Sequence, residues 1–127
     1  MEYWIGWAVG ALVIFMLFRS RIPAGSTLTP GELRDALAQD KDLQLIDVRS
    51  PGEFGGGHLQ GAKNIPLDQI AARLGELNKD KSLVVYCRSG HRSAMALNRL
   101  RSAGFRLAKH MGGGIMAWQG AGLPVKG

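Results

Sequence analysis

Two hydrophobic patterns divide the chain into two parts. Between Tyr3 and Phe18 sixteen consecutive residues carry no charged side chain. After Thr27, short apolar runs alternate with stretches whose apolar residues recur every three or four positions. Alternation of buried strands with amphipathic helices is typical of a parallel sheet whose strands are joined by crossover helices. The pattern therefore predicts an N-terminal apolar segment followed by one α/β domain.

Local signals place the elements of the α/β domain. Thr29 and Glu32 form a capping box, and Pro30 takes the first helical position, which predicts a helix to about Gln39. Leu83–Tyr86 is an apolar run of the kind that forms a strand buried on both faces. Apolar periodicity predicts the other elements: strands at 43–48 and near 107–111, a helix whose buried stripe is Ile70, Leu74 and Leu77, and a helix at 92–103 that ends at Gly104.

The N-terminal apolar segment predicts a transmembrane helix. As a helix, residues 3–18 would rise about 24 Å at about 1.5 Å per residue, somewhat less than the roughly 30 Å hydrocarbon core of a bilayer. Glu2 precedes the segment and Arg19 and Arg21 follow it, an order that favours a retained anchor over a cleaved signal peptide. Basic residues after the segment predict a single-pass protein of the inner or plasma membrane whose C-terminal domain faces the cytoplasm.

The boundaries of the predicted parts follow from this segment. We expect a membrane anchor at 1–21, a linker at 22–26 and a folded domain at 27–127. Gly6 and Gly10 have the GxxxG spacing that lets two membrane helices approach closely. Chance occurrence is the favoured explanation of this pair, because glycine is common in membrane helices. A homodimer formed through the helix is the alternative.

Charge and cysteine content narrow the classes of function. The region after residue 80 holds eight basic side chains and no carboxylate, and the chain as a whole has a net charge of +6. A basic region suits nucleic acid, a membrane surface or a small anion. Arg99, Arg101, Arg106 and Lys109 have no interleaved aromatic side chains, so we expect no nucleic-acid partner. One cysteine excludes an intramolecular disulfide, and three histidines without a short ligand spacing predict neither a metal site nor a cofactor.

Cys87 is the candidate reactive group. It lies directly after the predicted strand Leu83–Tyr86 and before a loop that enters a helix, which is the position at which parallel sheets bind ligands. Backbone N–H groups of the first helical turn, together with Arg88 and Arg92, would favour the thiolate and lower the pKa of Cys87. The alternative is that Cys87 is a small buried hydrophobic residue, as many lone cysteines are.

Four short segments follow one another along the chain. They are DVRSP at 47–51 followed by Glu53 and Phe54, GHLQGA at 57–62 followed by NIP at 64–66, YCRSGHRS at 86–93, and GGIMAW at 113–118 ahead of GLPV at 122–125. In this order they resemble the signature segments of the rhodanese (sulfurtransferase) family, and the resemblance covers roughly Thr27 to Gly127. One such match would be weak support, whereas four in order are strong support.

The resemblance implies a fold and an activity. The fold is a three-layer α/β arrangement in which helices flank a central, mainly parallel sheet. The activity is sulfur transfer, in which Cys87 takes the outer sulfur of a donor such as thiosulfate as a persulfide and passes it to a thiol or to cyanide. Because the chain has no second cysteine, the thiol acceptor must be external, such as glutathione, thioredoxin or a partner protein.

The resemblance also implies which residues serve the reaction. The loop after Cys87 would bind the small anionic sulfur donor through backbone N–H, hydroxyl and guanidinium groups. Ser89 stands where two-domain members that prefer thiosulfate often carry a lysine, so the identity of the donor stays open. Asp47 and Arg49 would either orient the loop or form a structural ion pair. The loop residues expected to contact the donor are Arg88, Ser89, Gly90, His91, Arg92 and Ser93.

Two other functions are alternatives to sulfur transfer. Cysteine phosphatases and arsenate reductases use a related loop with five residues between cysteine and arginine, whereas four residues separate Cys87 from Arg92. No carboxylate follows Asp80 that could protonate a leaving alcohol, so phosphoryl transfer is the weaker hypothesis. The other alternative is a membrane-tethered sulfur carrier or binding module, although inactive members of the family usually lack the loop cysteine.

Overall fold

A parallel sheet of five strands runs through residues 25–127, which are the part of the chain that the computed structural model describes. The strands are β1 (Thr27–Leu28), β2 (Gln44–Asp47), β3 (Lys63–Asn64), β4 (Leu83–Tyr86) and β5 (Ala108–Met111). Their order across the sheet is β1-β5-β4-β2-β3, and every pair of neighbours is parallel. β4, which leads into Cys87, therefore lies at the centre.

Short helices join these strands. The helices of residues 25–127 are α1 (Pro30–Gln39), α2 (Pro51–Gly55), α3 (His91–Ser102) and α4 (Gly114–Gly120), with 3₁₀ turns at Leu67–Gln69 and Ala71–Glu76. Thr29 and Ser50 begin α1 and α2 through capping boxes, each with a glutamate three residues further on and a proline at the first helical position. Local capping chemistry thus explains where both helices start.

Two hydrophobic clusters, one on each face of the sheet, produce three layers. Successive side chains of a strand point to opposite faces, so Val84 and Val85 belong to different clusters. On one face Val85 joins Leu97 of α3, and on the other Val84 joins Leu33 of α1 and Trp118 of α4. This three-layer arrangement around a parallel sheet agrees with the predicted fold class.

The predicted elements agree with the structure except in one region. The helix predicted from Ile70, Leu74 and Leu77 is wrong, because two 3₁₀ turns occupy this region and Arg73 leaves helical geometry at φ −116° and ψ 18°. An apolar spacing of three or four residues does not distinguish an α-helix from 3₁₀ turns. Gly75 further lowers the preference for an α-helix. Ile70 is nevertheless fully buried, so the predicted buried face is correct.

The order of the strands creates a crevice at one edge of the sheet. From β2 the chain continues outward to β3, whereas from β4 it continues in the other direction to β5. Ligands of open parallel sheets bind outside the carboxyl ends of the strands at such a reversal. The segments that follow β2 and β4, namely α2 and the loop after Cys87, flank this crevice.

The predicted membrane anchor concerns a different part of the chain. Within residues 25–127 no helix is both long and apolar enough to cross a membrane. The anchor at 1–21, the start of the linker at 22–26, and Gly6 and Gly10 lie outside the described residues. The anchor and the homodimer that would use it therefore stay predictions.

Candidate active site

Cys87 lies at the carboxyl end of β4 with its sulfur inside the protein. Only 1% of the residue's surface is exposed, and its side chain belongs to the core cluster that α3 covers. Its Sγ accepts a hydrogen bond from the backbone N–H of Gly90 at 3.0 Å and lies 3.5 Å from Oγ of Ser93. The thiol is thus buried but in contact with polar groups, which an inert hydrophobic cysteine would not need.

The shape of the loop directs backbone N–H groups at this sulfur. Gly90 adopts a left-handed conformation with φ +108° and precedes the first turn of α3. An added Cβ at Gly90 would lie 3.3 Å from the backbone nitrogen of Gly113. Glycine suits this position both because of its φ and because of the close approach. The turn brings the amino end of α3, where N–H groups are unpaired, next to Cys87.

Opposing effects act on the ionisation of Cys87. Burial raises the pKa of the thiol, but the hydroxyl of Ser93 and the backbone N–H groups of Ser93, Gly90 and Ser89 act in the opposite direction and are together stronger. The net result is a pKa of Cys87 below its ordinary value. The direction agrees with the sequence prediction, and hydrogen bonds from the loop rather than the arginines are the leading cause.

The start of α4 holds the loop from behind. The N–H groups of Ile115 and Met116 donate to the carbonyl oxygens of Cys87 and Arg88 at 2.8 and 3.1 Å. Gly114 makes this contact close, since a Cβ there would overlap the carbonyl group of Arg88. With its carbonyls bound to α4, the loop leaves its N–H groups free to face the sulfur. The GGIMAW segment at 113–118 therefore supports the loop that begins at Cys87 directly.

Arg92 is engaged by a partner that lies across the crevice. Its Nη1 and Nη2 donate to the two carboxylate oxygens of Glu53 at 2.7 and 2.9 Å. These hydrogen bonds are the main reason why the pKa of Glu53 falls to about 2. The family resemblance implies that Arg92 binds the donor. The structure places Arg92 in this ion pair, because α2 brings Glu53 to the loop. Arg92 therefore joins α2 to α3 at the mouth of the site.

The other predicted loop residues divide into exposed and buried groups. Arg88, Ser89 and His91 are exposed, whereas Ser93 is fully buried against Cys87. Within residues 25–127 the guanidinium of Arg88 makes neither a side-chain hydrogen bond nor an ion pair. Arg88 is thus the loop arginine whose charge is available to an incoming anion.

Asp47 and Arg49 form a buried ion pair at the end of β2. Nη2 of Arg49 lies 2.7 Å from Oδ2 of Asp47 and also donates to the carbonyl of Gly57 at 2.6 Å. Arg49 is 5% exposed and Asp47 is 0% exposed. Asn64 of β3 donates to the carbonyl oxygens of both. Of the two hypotheses for this pair, the structural ion pair matches these contacts.

Comparison with known proteins identifies the family. The profile of the rhodanese-like domain matches residues 29–121. The chain belongs to the rhodanese-like family. A solved relative, the rhodanese-like domain protein of Staphylococcus aureus, has the same fold, with a TM-score of 0.71. It is 34% identical, and the alignment covers 80% of this chain and 99% of the relative's chain.

Curated relatives of this rhodanese-like domain include proteins named as sulfurtransferases. A sulfurtransferase of Allochromatium vinosum is 39% identical over 73% of this chain and 87% of its own length. The probable adenylyltransferase/sulfurtransferase MoeZ of Mycobacterium tuberculosis is 48% identical over 74% of this chain. That alignment covers 24% of MoeZ, so the chain spans about a quarter of that relative's length.

Two polar residues of the site were not among the predicted site residues. Glu53 carried a usable signal, because the capping box of Ser50 and Glu53 and the DVRSP segment lie together. His110 carried none, since a histidine inside a predicted strand has no local pattern that indicates its partner. In the rhodanese-like domain its Nδ1 lies 3.1 Å from Oγ of Ser93.

Proposed function

We propose that this rhodanese-like protein is a sulfurtransferase that moves a sulfane sulfur from a small anionic donor such as thiosulfate, through a persulfide on Cys87, to a thiol or to cyanide. The observation that carries the proposal is the sulfur of Cys87, which is buried beneath a loop whose N–H groups converge on it. Family membership and the relatives named as sulfurtransferases support it.

The site's geometry supports each chemical step. The Cys87 thiolate would attack the outer sulfur of thiosulfate, forming a new S–S bond while the old S–S bond breaks and sulfite leaves. The transferred sulfur would extend about 2 Å beyond Sγ toward the loop, where N–H groups can stabilise its negative charge. Attack by cyanide or an external thiolate on that outer sulfur would then regenerate the Cys87 thiolate. No net change in protons or electrons is required.

Mass spectrometry of the intact protein tests this proposal. After incubation with thiosulfate we expect the added mass of one sulfur atom on the peptide that contains Cys87, and we expect cyanide to remove it. Absence of the adduct with every sulfane donor tried would refute sulfur transfer.

The described carboxylates give no support to phosphoryl transfer. Glu53 is the carboxylate that the structure brings to the loop, but it accepts hydrogen bonds from Arg92 and Ser50. With a pKa of about 2 it holds no proton at neutral pH that could be given to a leaving alcohol. The phosphatase hypothesis therefore lacks its general acid at this position.

Replacing Arg88 by alanine is expected to weaken donor binding. Its exposed guanidinium is free to meet the oxygens of a dianionic donor, and a hydrogen bond to a charged group is worth about 1.5–3 kcal/mol. We expect KM for thiosulfate to rise roughly tenfold or more, with a smaller change in kcat. Steady-state kinetics at low and high ionic strength measure KM and kcat for the variant and the wild type.

Arg106→Ala is the matched control for Arg88→Ala. Arg106 is also exposed, but it precedes β5 and so lies at the opposite end of the strands from the loop. The same change of net charge there should leave KM within about twofold, because screening weakens interactions between distant exposed charges. Equal effects of the two substitutions would show that Arg88 makes no specific contact with the donor.

We further propose that residues 3–18 anchor the protein in the inner or plasma membrane with the rhodanese-like domain in the cytoplasm, where an external thiol would accept the sulfur. The support is the uncharged stretch with arginines after it. The full chain should stay in the membrane fraction after carbonate washing, whereas residues 25–127 alone should be released. Release of the full chain by carbonate would contradict the anchor.

A further inference from the structure

A line of hydrogen-bonding groups leads from Cys87 to the surface. Oγ of Ser93 lies 3.5 Å from the sulfur, Nδ1 of His110 lies 3.1 Å from that Oγ, and Nε2 of His110 lies 3.2 Å from Oγ1 of Thr27. Ser93 and His110 are 0% and 5% exposed, whereas Thr27 is exposed. The line crosses from α3 to β5 and then to β1 at the edge of the sheet.

Three polar groups surround the hydroxyl of Ser93, but it has a single proton to donate. It lies 3.1 Å from the carbonyl of Gly90, 3.1 Å from Nδ1 of His110 and 3.5 Å from Sγ of Cys87. A carbonyl and a thiolate can only accept, whereas a neutral imidazole nitrogen donates or accepts according to its tautomer. The tautomer of His110 therefore decides whether Nδ1 takes the proton of Ser93 or leaves it to be shared between the sulfur and the carbonyl of Gly90.

We propose that His110 is a positioning residue for the Cys87 nucleophile. Its Nδ1–H donates to Ser93 and so leaves the Ser93 proton for the thiolate, which as a charged acceptor competes better for it than the carbonyl of Gly90 does. The proposal deepens the proposed function and rests on Cys87 as the reacting thiol. With the other tautomer, Nδ1 would accept the Ser93 proton, and Ser93 could then only accept from a neutral thiol. The two tautomers of His110 thus correspond to the thiol and thiolate states of Cys87.

Protons balance in the change between these two states. The thiol proton passes to Oγ of Ser93 while the proton of Ser93 passes to Nδ1 of His110. The proton on Nε2 moves to Oγ1 of Thr27, and Thr27 releases its own proton to water. His110 stays neutral throughout, and the hydroxyl of Thr27 serves either tautomer because it can donate or accept.

The surroundings of His110 suit a neutral imidazole. Burial lowers the pKa of His110, which favours the uncharged ring. Three neighbouring elements contribute groups next to His110. They are Thr27 from β1, which contacts Nε2, Ser93 from α3, which contacts Nδ1, and Val85 from β4, which is the register partner of His110 in the sheet. Arg101 of α3 binds the carbonyl of Ala108 and the hydroxyl of Ser26 instead of the ring. Within residues 25–127, the titratable group that these contacts join to His110 is Cys87.

The single cysteine makes a direct test practical. Thiolate absorbs in the ultraviolet, so the difference in absorbance between the full-length protein and its Cys87→Ser variant, followed against pH, reports the ionisation of Cys87 alone. This titration needs no sulfur donor. If the titration midpoint of Cys87 shifts in a His110 variant but no persulfide forms in the wild type, this inference is supported and the proposed function is refuted. If the midpoint does not shift but the persulfide forms, the inference is refuted and the proposed function is supported.

Two amide substitutions of His110 separate positioning from packing. In asparagine the amide lies near the position of Nδ1, so His110→Asn can still donate to Ser93, whereas in His110→Gln the amide lies near Nε2 and cannot. We expect the midpoint of Cys87 to stay within about 0.3 pH units in His110→Asn. In His110→Gln no group donates to Ser93, so its hydroxyl is free to turn to the carbonyl of Gly90 at 3.1 Å, and we expect the midpoint to rise by about one unit, which is roughly tenfold less thiolate at a given pH below the midpoint. Equal midpoints for the two variants would overturn the proposal.

Substitution of Ser93 supplies the second arm of the test. Ser93→Ala should raise the midpoint of Cys87 by at least as much as His110→Gln. Because His110 acts through Ser93, adding His110→Gln to Ser93→Ala should cause no further shift. Additive shifts in the double variant would mean that His110 acts on Cys87 by another route and would contradict the proposed role. Thermal unfolding of each variant confirms that folded protein is compared.

Discussion

Replacing Cys87 by serine is expected to abolish sulfur transfer, lowering turnover with thiosulfate by at least about a thousand-fold. A serine hydroxyl is not ionised at neutral pH, and hydrogen bonds from the loop that lower the pKa of the thiol cannot make it so. No other cysteine in the chain can take the sulfur. Mass spectrometry should find one added sulfur atom per chain in the wild type and none in the variant.

Ser89→Ala is the matched control for the Cys87 substitution. It removes an exposed hydroxyl from the same loop but leaves the backbone N–H groups and the thiol in place, so the persulfide adduct should still form. Sulfur transfer that survives in Cys87→Ser would show that the nucleophile lies elsewhere. Hydrolysis of nitrophenyl phosphate that is lost in the same variant would instead favour the phosphatase hypothesis.

Asp47→Ala is expected to lower the free energy of unfolding by about 3–5 kcal/mol. The substitution would leave the guanidinium of Arg49 buried without its counterion. The carbonyl of Gly57 at 2.6 Å would be its remaining hydrogen-bond partner, and the ring of Tyr86 would remain 5.9 Å away. Truncating one partner of a buried ion pair costs more than the pair itself contributes, because the other charge stays away from water. Urea denaturation measures the change.

Asp42→Ala is the matched control, because Asp42 also pairs with a basic residue, but at the surface. Its carboxylate lies 3.8 Å from Nζ of Lys81, and its side chain is 76% exposed. We expect a change of less than about 0.5 kcal/mol. Replacing both partners of the buried pair, with Asp47→Leu and Arg49→Met, should restore part of the lost stability, because it removes the unpaired charge but leaves the N–H of residue 49 and the carbonyl of Gly57 without these partners. Similar losses in Asp47→Ala and Asp42→Ala would contradict the role assigned to the buried pair.

Much of the fold could be predicted from the sequence because its signals are local. The capping box at Thr29 predicted the start of α1, and the apolar run Leu83–Tyr86 predicted the central strand. The two-residue strands β1 and β3 gave no such signal, because pairing with longer neighbours creates them. The 3₁₀ turns around Ile70 were missed for a related reason, since apolar spacing records which face is buried and not which hydrogen bonds form.

By itself, the sequence determined the position of Cys87 at the end of a buried strand, the glycine-containing turn into α3, and membership of the family. Which side chains meet there was decided by the tertiary structure. Glu53 accepts hydrogen bonds from Arg92, His110 lies within hydrogen-bond distance of Ser93, and an N–H group at the start of α4 donates to the carbonyl of Cys87. These partners come from elements far apart in sequence, and only the packing of helices against the sheet brings them within hydrogen-bond distance. Local periodicity carries no record of such pairs, because it reports the burial of each position and not its neighbour.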